Sequence, residues 1–199
     1  MKDLLTKIVA DNSLHARWLN SLSFLENTGA RKISASENTH TVNLMILKHA
    51  AEEARHAYYL KKQIQKLGAD ECPDYSSEYL LAPGHSYTYL NLLDVHVSRY
   101  LKKTLNLIGS DLRFASYLLV TYAIEVRADA LYPVYQDELT RQESKVTVKS
   151  IILEEEGHLE EMIHQLTQFS PDWEKHAGLV CAVEERLFNS WIEGIKKSV

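Results

Sequence analysis

The sequence predicts an all-α chain, and three observations carry that prediction: only 7 Gly and 4 Pro in 199 residues, few runs rich in Val, Ile and Thr in strict alternation, and apolar residues recurring at spacings of three and four. A first helix is expected over about residues 2 to 35, carrying Leu4, Ile8, Leu19, Leu22, Leu25 and Ile33, with Gly29 as its weak point. A second follows over about 39 to 67 and ends at Leu67-Gly68, where glycine supplies a left-handed cap. Ala69 to Ser86 contains Pro73, Pro83 and Gly84 and reads as a surface loop crossing the bundle. Helices over about Tyr87–Ile108 and Asp111–Glu138 come next, separated by Gly109-Ser110, and Pro133 is expected to kink or shorten the latter. Thr140-Arg141-Gln142-Glu143 has capping-box spacing and is expected to start a helix running to Phe169. Ser170-Pro171-Asp172 ends it, and an amphipathic helix over about 173 to 196 carries Val180, Val183, Leu187, Trp191 and Ile195. No internal repeat is visible, and the chain is expected to form one domain over 1–199.

The formal charge of −5 comes from acids spread along the chain, without a basic block that would track a phosphate backbone, which argues against nucleic acid as partner. Acids and a Trp near the start stand where a secretory signal would need a continuous apolar run, and no stretch approaches the roughly 20 apolar residues of a membrane span. Cys72 and Cys181 lie far apart and outside any Cys-x-x-Cys spacing, so neither a disulfide framework nor a thiolate metal site is expected. A cytoplasmic location is the expectation.

Chemistry enters with Glu-x-x-His. A Glu and a His three residues apart on a helix point the same way and can present a carboxylate and an imidazole to one metal pair. With 18 Glu and 9 His the spacing alone is cheap, and it occurs at Glu37/His40, Glu53/His56, Glu155/His158 and Glu161/His164. Depth in the bundle selects among them. Two residues of an antiparallel helical hairpin share a height when the turn lies midway between them, since each helix rises about 1.5 Å per residue. Glu26 and Glu53/His56 then require a turn near residue 40, close to the turn-forming Ser36-Glu37-Asn38-Thr39, provided the first helix continues through Gly29. Glu125 and Glu155/His158 require one near 140, where the capping box stands. Glu37/His40 falls in a turn, and Glu161/His164 is rotated to another side of its helix. Glu26, Glu53 and Glu155 continue apolar stripes, so these carboxylates point where core residues belong. Several buried carboxylates at one depth are costly unless they bind cations.

In the order Glu26, Glu53-x-x-His56, Glu125, Glu155-x-x-His158, the set resembles the di-iron site of the ferritin-like superfamily. The resemblance implies a ferritin-like four-helix bundle, here with an inserted helix and a C-terminal helix. It also implies two iron ions, with manganese as the other metal such ligands suit, held by Glu26, Glu53, His56, Glu125, Glu155 and His158. It further implies a di-iron carboxylate oxidoreductase that activates dioxygen, such as a small hydroxylase or monooxygenase, with an external electron donor and an unspecified substrate. A ferroxidase or iron-storage-type protein is the alternative, and a homodimer is allowed. The chain departs from storage ferritins by inserting about forty residues between the second and third bundle helices, and from rubrerythrins by lacking their Cys-x-x-Cys pairs. Its proportions are similar to those of small di-iron hydroxylases.

Neighbouring residues carry two readings each. His49 is either an extra ligand or supporting group, or a hydrogen-bonded core histidine; Asp129 either holds a ligand His in one tautomer or faces solvent. Tyr59 and Tyr122 either relay electrons or pack. Gly29 either leaves room beside the metals or marks a close helix contact. Trp18, Leu187 and Trp191 read as core or dimer contact. The wall of a substrate cavity is expected at Gly29 and the inserted segment 69 to 108.

Overall fold

The computed structural model describes residues 1–38, 40–68 and 72–199, and among them seven α-helices and no strand. The expected first helix is two. Asp11 takes extended backbone angles, and its side chain accepts from Leu14 N at 2.9 Å, so it caps α2 (Asn12–Ser36) and ends α1 (Lys2–Ala10). The apolar spacing runs on through this break and conceals it. α1 folds back to bury Leu4, Leu5, Ile8 and Val9, and it is tied to the far end of α5 by Arg141 Nη2 donating to Thr6 Oγ1 and Gln142 Nε2 donating to Thr6 O.

α2 continues through Gly29 to Ser36, as the height argument requires. α3 (Leu44–Ile64) starts later than expected because Asn43, whose side chain accepts from Met45 N and Ile46 N, is its cap; Thr39, expected in the turn, lies outside the described residues. A 3₁₀ turn over Gln65–Leu67 ends at Gly68, which has the expected left-handed φ of 62°.

Of the crossing segment, Ala69, Asp70 and Glu71 lie outside the described residues. The rest is not wholly a surface loop, because Leu80, Leu81 and Ala82 are buried. Polar residues buried in α2 hold it there: Asn20 Nδ2 donates to Asp74 O and Tyr79 O, both at 2.9 Å, and Leu81 N donates to Ser21 Oγ. α4 (Pro83–Leu105) begins four residues earlier than expected because Pro83 occupies its first turn, where a missing N–H costs nothing; it ends at left-handed Asn106.

α5 (Gly109–Arg141) runs two turns past Pro133. The proline leaves the Asp129 carbonyl without its helical donor, at a residue exposed to solvent. Thr140 therefore starts no helix, and its hydroxyl donates back to Gln136 O at 2.9 Å. α6 (Lys149–Phe169) begins after a return segment, and α7 (Trp173–Lys196) lies where expected.

α2 and α3 form one hairpin and α5 and α6 another, with α4 and α7 packed on α5. The apolar core falls into two clusters. One gathers α1 with Trp18, Leu60, Tyr135, Ile151 and Trp191; the other gathers Ile33, Ile46, Leu93, Leu118, Met162 and Val180. Along α3 and α6 the switch from one cluster to the other falls at Glu53/His56 and Glu155/His158.

Within the first cluster, buried His15 meets Tyr135 Oη at 2.6 Å, and burial lowers its pKa to about 4. An unfolded histidine titrates near 6.5, so the unfolded chain binds the extra proton first, and stability is lost as pH falls from about 6.5 towards 4. Between pH 7.5 and 5.0 His15 should account for about 2 kcal/mol of lost stability. Urea unfolding of the wild type and His15→Gln at both pH values checks this; the variant should lose less between them by that amount, and equal losses would contradict it.

Candidate metal centre

Six side chains from four helices converge at one level: Glu26 from α2, Glu53 and His56 from α3, Glu125 from α5, and Glu155 and His158 from α6. They form two overlapping groups, Glu26/Glu53/His56/Glu155 and Glu53/Glu125/Glu155/His158, and within each the ligand atoms lie within 4.8 Å of one another. Glu53 and Glu155 belong to both, the geometry of two carboxylates each able to bridge two ions. All are buried except half-buried Glu26.

The α2–α3 hairpin brings its members level as the spacing predicts. The α5–α6 hairpin does so by another route. α5 overshoots the expected turn, and residues 142–148 run back along it until Val148 N and Thr147 Oγ1 both donate to Gln136 Oε1. Counted from that contact, Glu125 and Glu155/His158 lie at similar depth.

Each imidazole is oriented by an acid that sequence reasoning passed over. His56 Nε2 is 2.8 Å from Glu154 Oε2 and His158 Nε2 is 2.8 Å from Glu52 Oε2, so each helix's histidine is held by the acid preceding the Glu-x-x-His of the other. Arg55 Nη2 also reaches Glu154 Oε2, at 2.5 Å. A proton on Nε2 leaves each Nδ1 lone pair facing the carboxylates. The signal was available as a repeated Glu-Glu-x-x-His, Glu52-Glu53-Ala54-Arg55-His56 and Glu154-Glu155-Glu156-Gly157-His158.

The neighbours resolve in turn. Tyr132, not considered from the sequence, donates its buried hydroxyl to Glu26 Oε1. His49 is a buried, hydrogen-bonded histidine set between Tyr117 Oη at 2.8 Å and Glu161 Oε2 at 2.9 Å, while Lys48 also holds Glu161. Asp129 is exposed and orients no ligand. Tyr59 donates to Thr147 O, and Tyr122 packs edge-on against Trp173. Trp18 is fully buried and stacks on Trp191 at 5.4 Å.

Electrostatics test whether this cluster suits cations. Burial, then crowding by Glu26 and Glu155, raises the Glu53 carboxyl well above its ordinary value; burial, then Glu155, does the same to Glu125. Burial opposes charging the two imidazoles, but hydrogen bonding and attraction to the carboxylates win, raising His56 to about 9 and His158 to about 11. Protons thus neutralise the metal-free cluster. His56 Nδ1 is buried without a hydrogen-bond partner, although Glu155 Oε1 is 3.2 Å away. An orphaned nitrogen grouped with the carboxylates of Glu26, Glu53 and Glu155, with oxygen and nitrogen donors and no thiolate, fits hard or borderline divalent ions.

No protein family, curated protein or solved structure matches the chain.

A cavity of about 350 Å³ opens on the carboxylate side, lined among others by Glu26, Gly29, Glu53, Glu125, Tyr132 and, from α4, Tyr89 and Leu90. A Cβ on Gly29 would meet only Glu53 Oε2, at 3.9 Å, so this glycine adjoins the cluster without marking a close helix contact. The cavity wall includes Gly29 and part of the inserted segment, as expected, together with Trp191 of α7. The histidines lie on the other side, behind Glu52 and Glu154.

Two metals per chain are expected by elemental analysis after anaerobic loading, and His56→Ala combined with His158→Ala should abolish binding while leaving the helical circular dichroism unchanged. One ion or none in the wild type would contradict the site. Because both imidazoles are protonated below about pH 9, loading at pH 7 should release at least two protons. Calorimetry in buffers of different ionisation enthalpy counts them, and apparent affinity should rise with pH. Glu52→Ala and Glu154→Ala should each weaken metal binding by about 10- to 100-fold, read by chelator competition.

Proposed function

We propose that the chain is a di-metal carboxylate oxidoreductase of the ferritin-like kind, holding two iron ions, or manganese in one or both positions, and using dioxygen with electrons from an external donor. The observation that carries the reading is the pair of ligand groups sharing Glu53 and Glu155 beside an apolar cavity. Two Fe(II) ions bound there would supply the electrons for reducing dioxygen.

The chain's residues have definite tasks in this reading. Glu53 and Glu155, which belong to both ligand groups, would serve both ions, Glu26 and His56 would complete one set, and Glu125 and His158 the other. Glu154 and Glu52 fix the Nε2 protons of those imidazoles, which holds their rings in place. Tyr132 keeps a hydroxyl proton on Glu26 Oε1, restraining how that carboxylate turns. Leu22, Leu25, Ile124 and Leu131 line the cavity and limit water at the carboxylate face.

A ferroxidase or iron-storage protein needs the ligands but no apolar chamber. The cavity beside Glu26, Glu53 and Glu125 therefore favours an organic substrate.

Oxygen uptake decides between an oxygen-using centre and a redox-silent one. Stopped-flow mixing of the Fe(II)-loaded protein with oxygen should show uptake coupled to an optical change, and Glu125→Ala should slow it by more than about tenfold. Uptake by the wild type no faster than by the variant would leave a metal protein without oxygen chemistry.

A further inference from the structure

The cavity beside the carboxylates is long for its volume. α5 lines it from Leu112 to Tyr132, about 30 Å of helix, and α2 from Leu22 to Ser36, about 20 Å. A space that follows two helices for some 20 Å suits an elongated, chain-like ligand.

Its ends differ in chemistry. Tyr89, Phe188 and Trp191 form an aromatic floor on which Arg127 lies over Phe188 with its charge paired to Glu184; Glu26, Glu53 and Glu125 stand along the way, and exposed Arg113 lies at the mouth with Ser98 and the Lys32–Asp94 pair. A surface depression sharing Asp94, Ser98 and Leu112 with the cavity adds Arg99, Lys102 and Lys103. Asp94 is spoken for by Lys32 at 2.9 Å. Among the described residues, Arg99, Lys102, Lys103 and Arg113 have no carboxylate within 4.0 Å. A positive rim on a chain of net charge −5 is a local feature that steers an anion to this opening.

We propose that the cavity takes an unbranched hydrocarbon chain ending in an anion, with its head on the Arg99/Lys102/Lys103/Arg113 rim and its chain running past the carboxylates towards Trp191. Arg113 and Glu125 are about 18 Å apart along α5. An extended chain advances about 1.25 Å per carbon, so roughly fourteen carbons reach the carboxylates and a few more reach the floor. The inference rests on the proposed function only in making the carboxylate layer the place of reaction, since the binding itself requires no metal.

Titration of the metal-loaded and the metal-free protein with tetradecanoate, followed by tryptophan fluorescence and by equilibrium dialysis, tests it. One chain should bind per protein, at least tenfold more tightly than octanoate or uncharged tetradecanol. Combined Lys102→Glu and Arg113→Glu substitutions on the exposed rim should weaken binding about tenfold at low salt and less at 0.5 M salt. Thr121→Phe, inside the bore, should abolish it. Equal or tighter binding of tetradecyl phosphate keeps the anionic chain and assigns its head to a phosphate rather than a free carboxylate. No saturable binding, or binding that ignores both the head charge and the rim substitutions, overturns the proposal. Two bound metals without chain binding would remove this inference alone, whereas chain binding without metals would remove the metal reading and leave this one.

Discussion

Four carboxylates held at one level inside a helical bundle repel one another and have lost their water, and the rest of the architecture is arranged around that fact. Without positive charge the layer would be strongly destabilising, because a buried ionised carboxylate costs several kcal/mol even after relaxation. The metal-free protein meets the requirement with protons, on His56, on His158 and on raised Glu53 and Glu125. Divalent ions would meet it with charge that does not leave at neutral pH. The two apolar clusters on either side hold the helices at the separation this layer needs.

The reciprocal Glu52–His158 and Glu154–His56 contacts make α3 and α6 near equivalents of each other. Departures from that equivalence lie on the other two helices. Glu26 is half-buried and accepts from Tyr132, whereas Glu125 is fully buried. The cavity touches both of these carboxylates and Glu53 but neither imidazole, so a molecule within it approaches the cluster from its carboxylate side.

Much of this was legible in the sequence, for reasons that also mark where legibility stops. Helical periodicity and the height argument gave Glu26 and Glu53 a common level once α2 was allowed through Gly29, and α2 does run through it. The same argument for Glu125 and Glu155 placed the turn at Thr140, and there local sequence misled. A capping-box spacing is a property of four residues, whereas the end of α5 is decided by its packing and by Gln136, which collects the returning chain. Asp11 was hidden for the opposite reason, since a helical period that continues across a cap looks like one helix. Glu52 and Glu154 were lost in a background of many glutamates, although their repeated place before the ligand Glu could have separated them. Tyr132 has no local signal, because its partner Glu26 is 106 residues away.

The return of residues 142–148 along α5 leaves the last turns of that helix standing clear of its hairpin partner, and α1 occupies the space so made. Thr6 receives Arg141 and Gln142 across 135 and 136 residues of chain. Bringing Glu26 to Glu155 closes 129 residues of chain, and closure entropy grows only with the logarithm of the span. The base of the bundle and the carboxylate layer therefore close over spans of nearly equal cost.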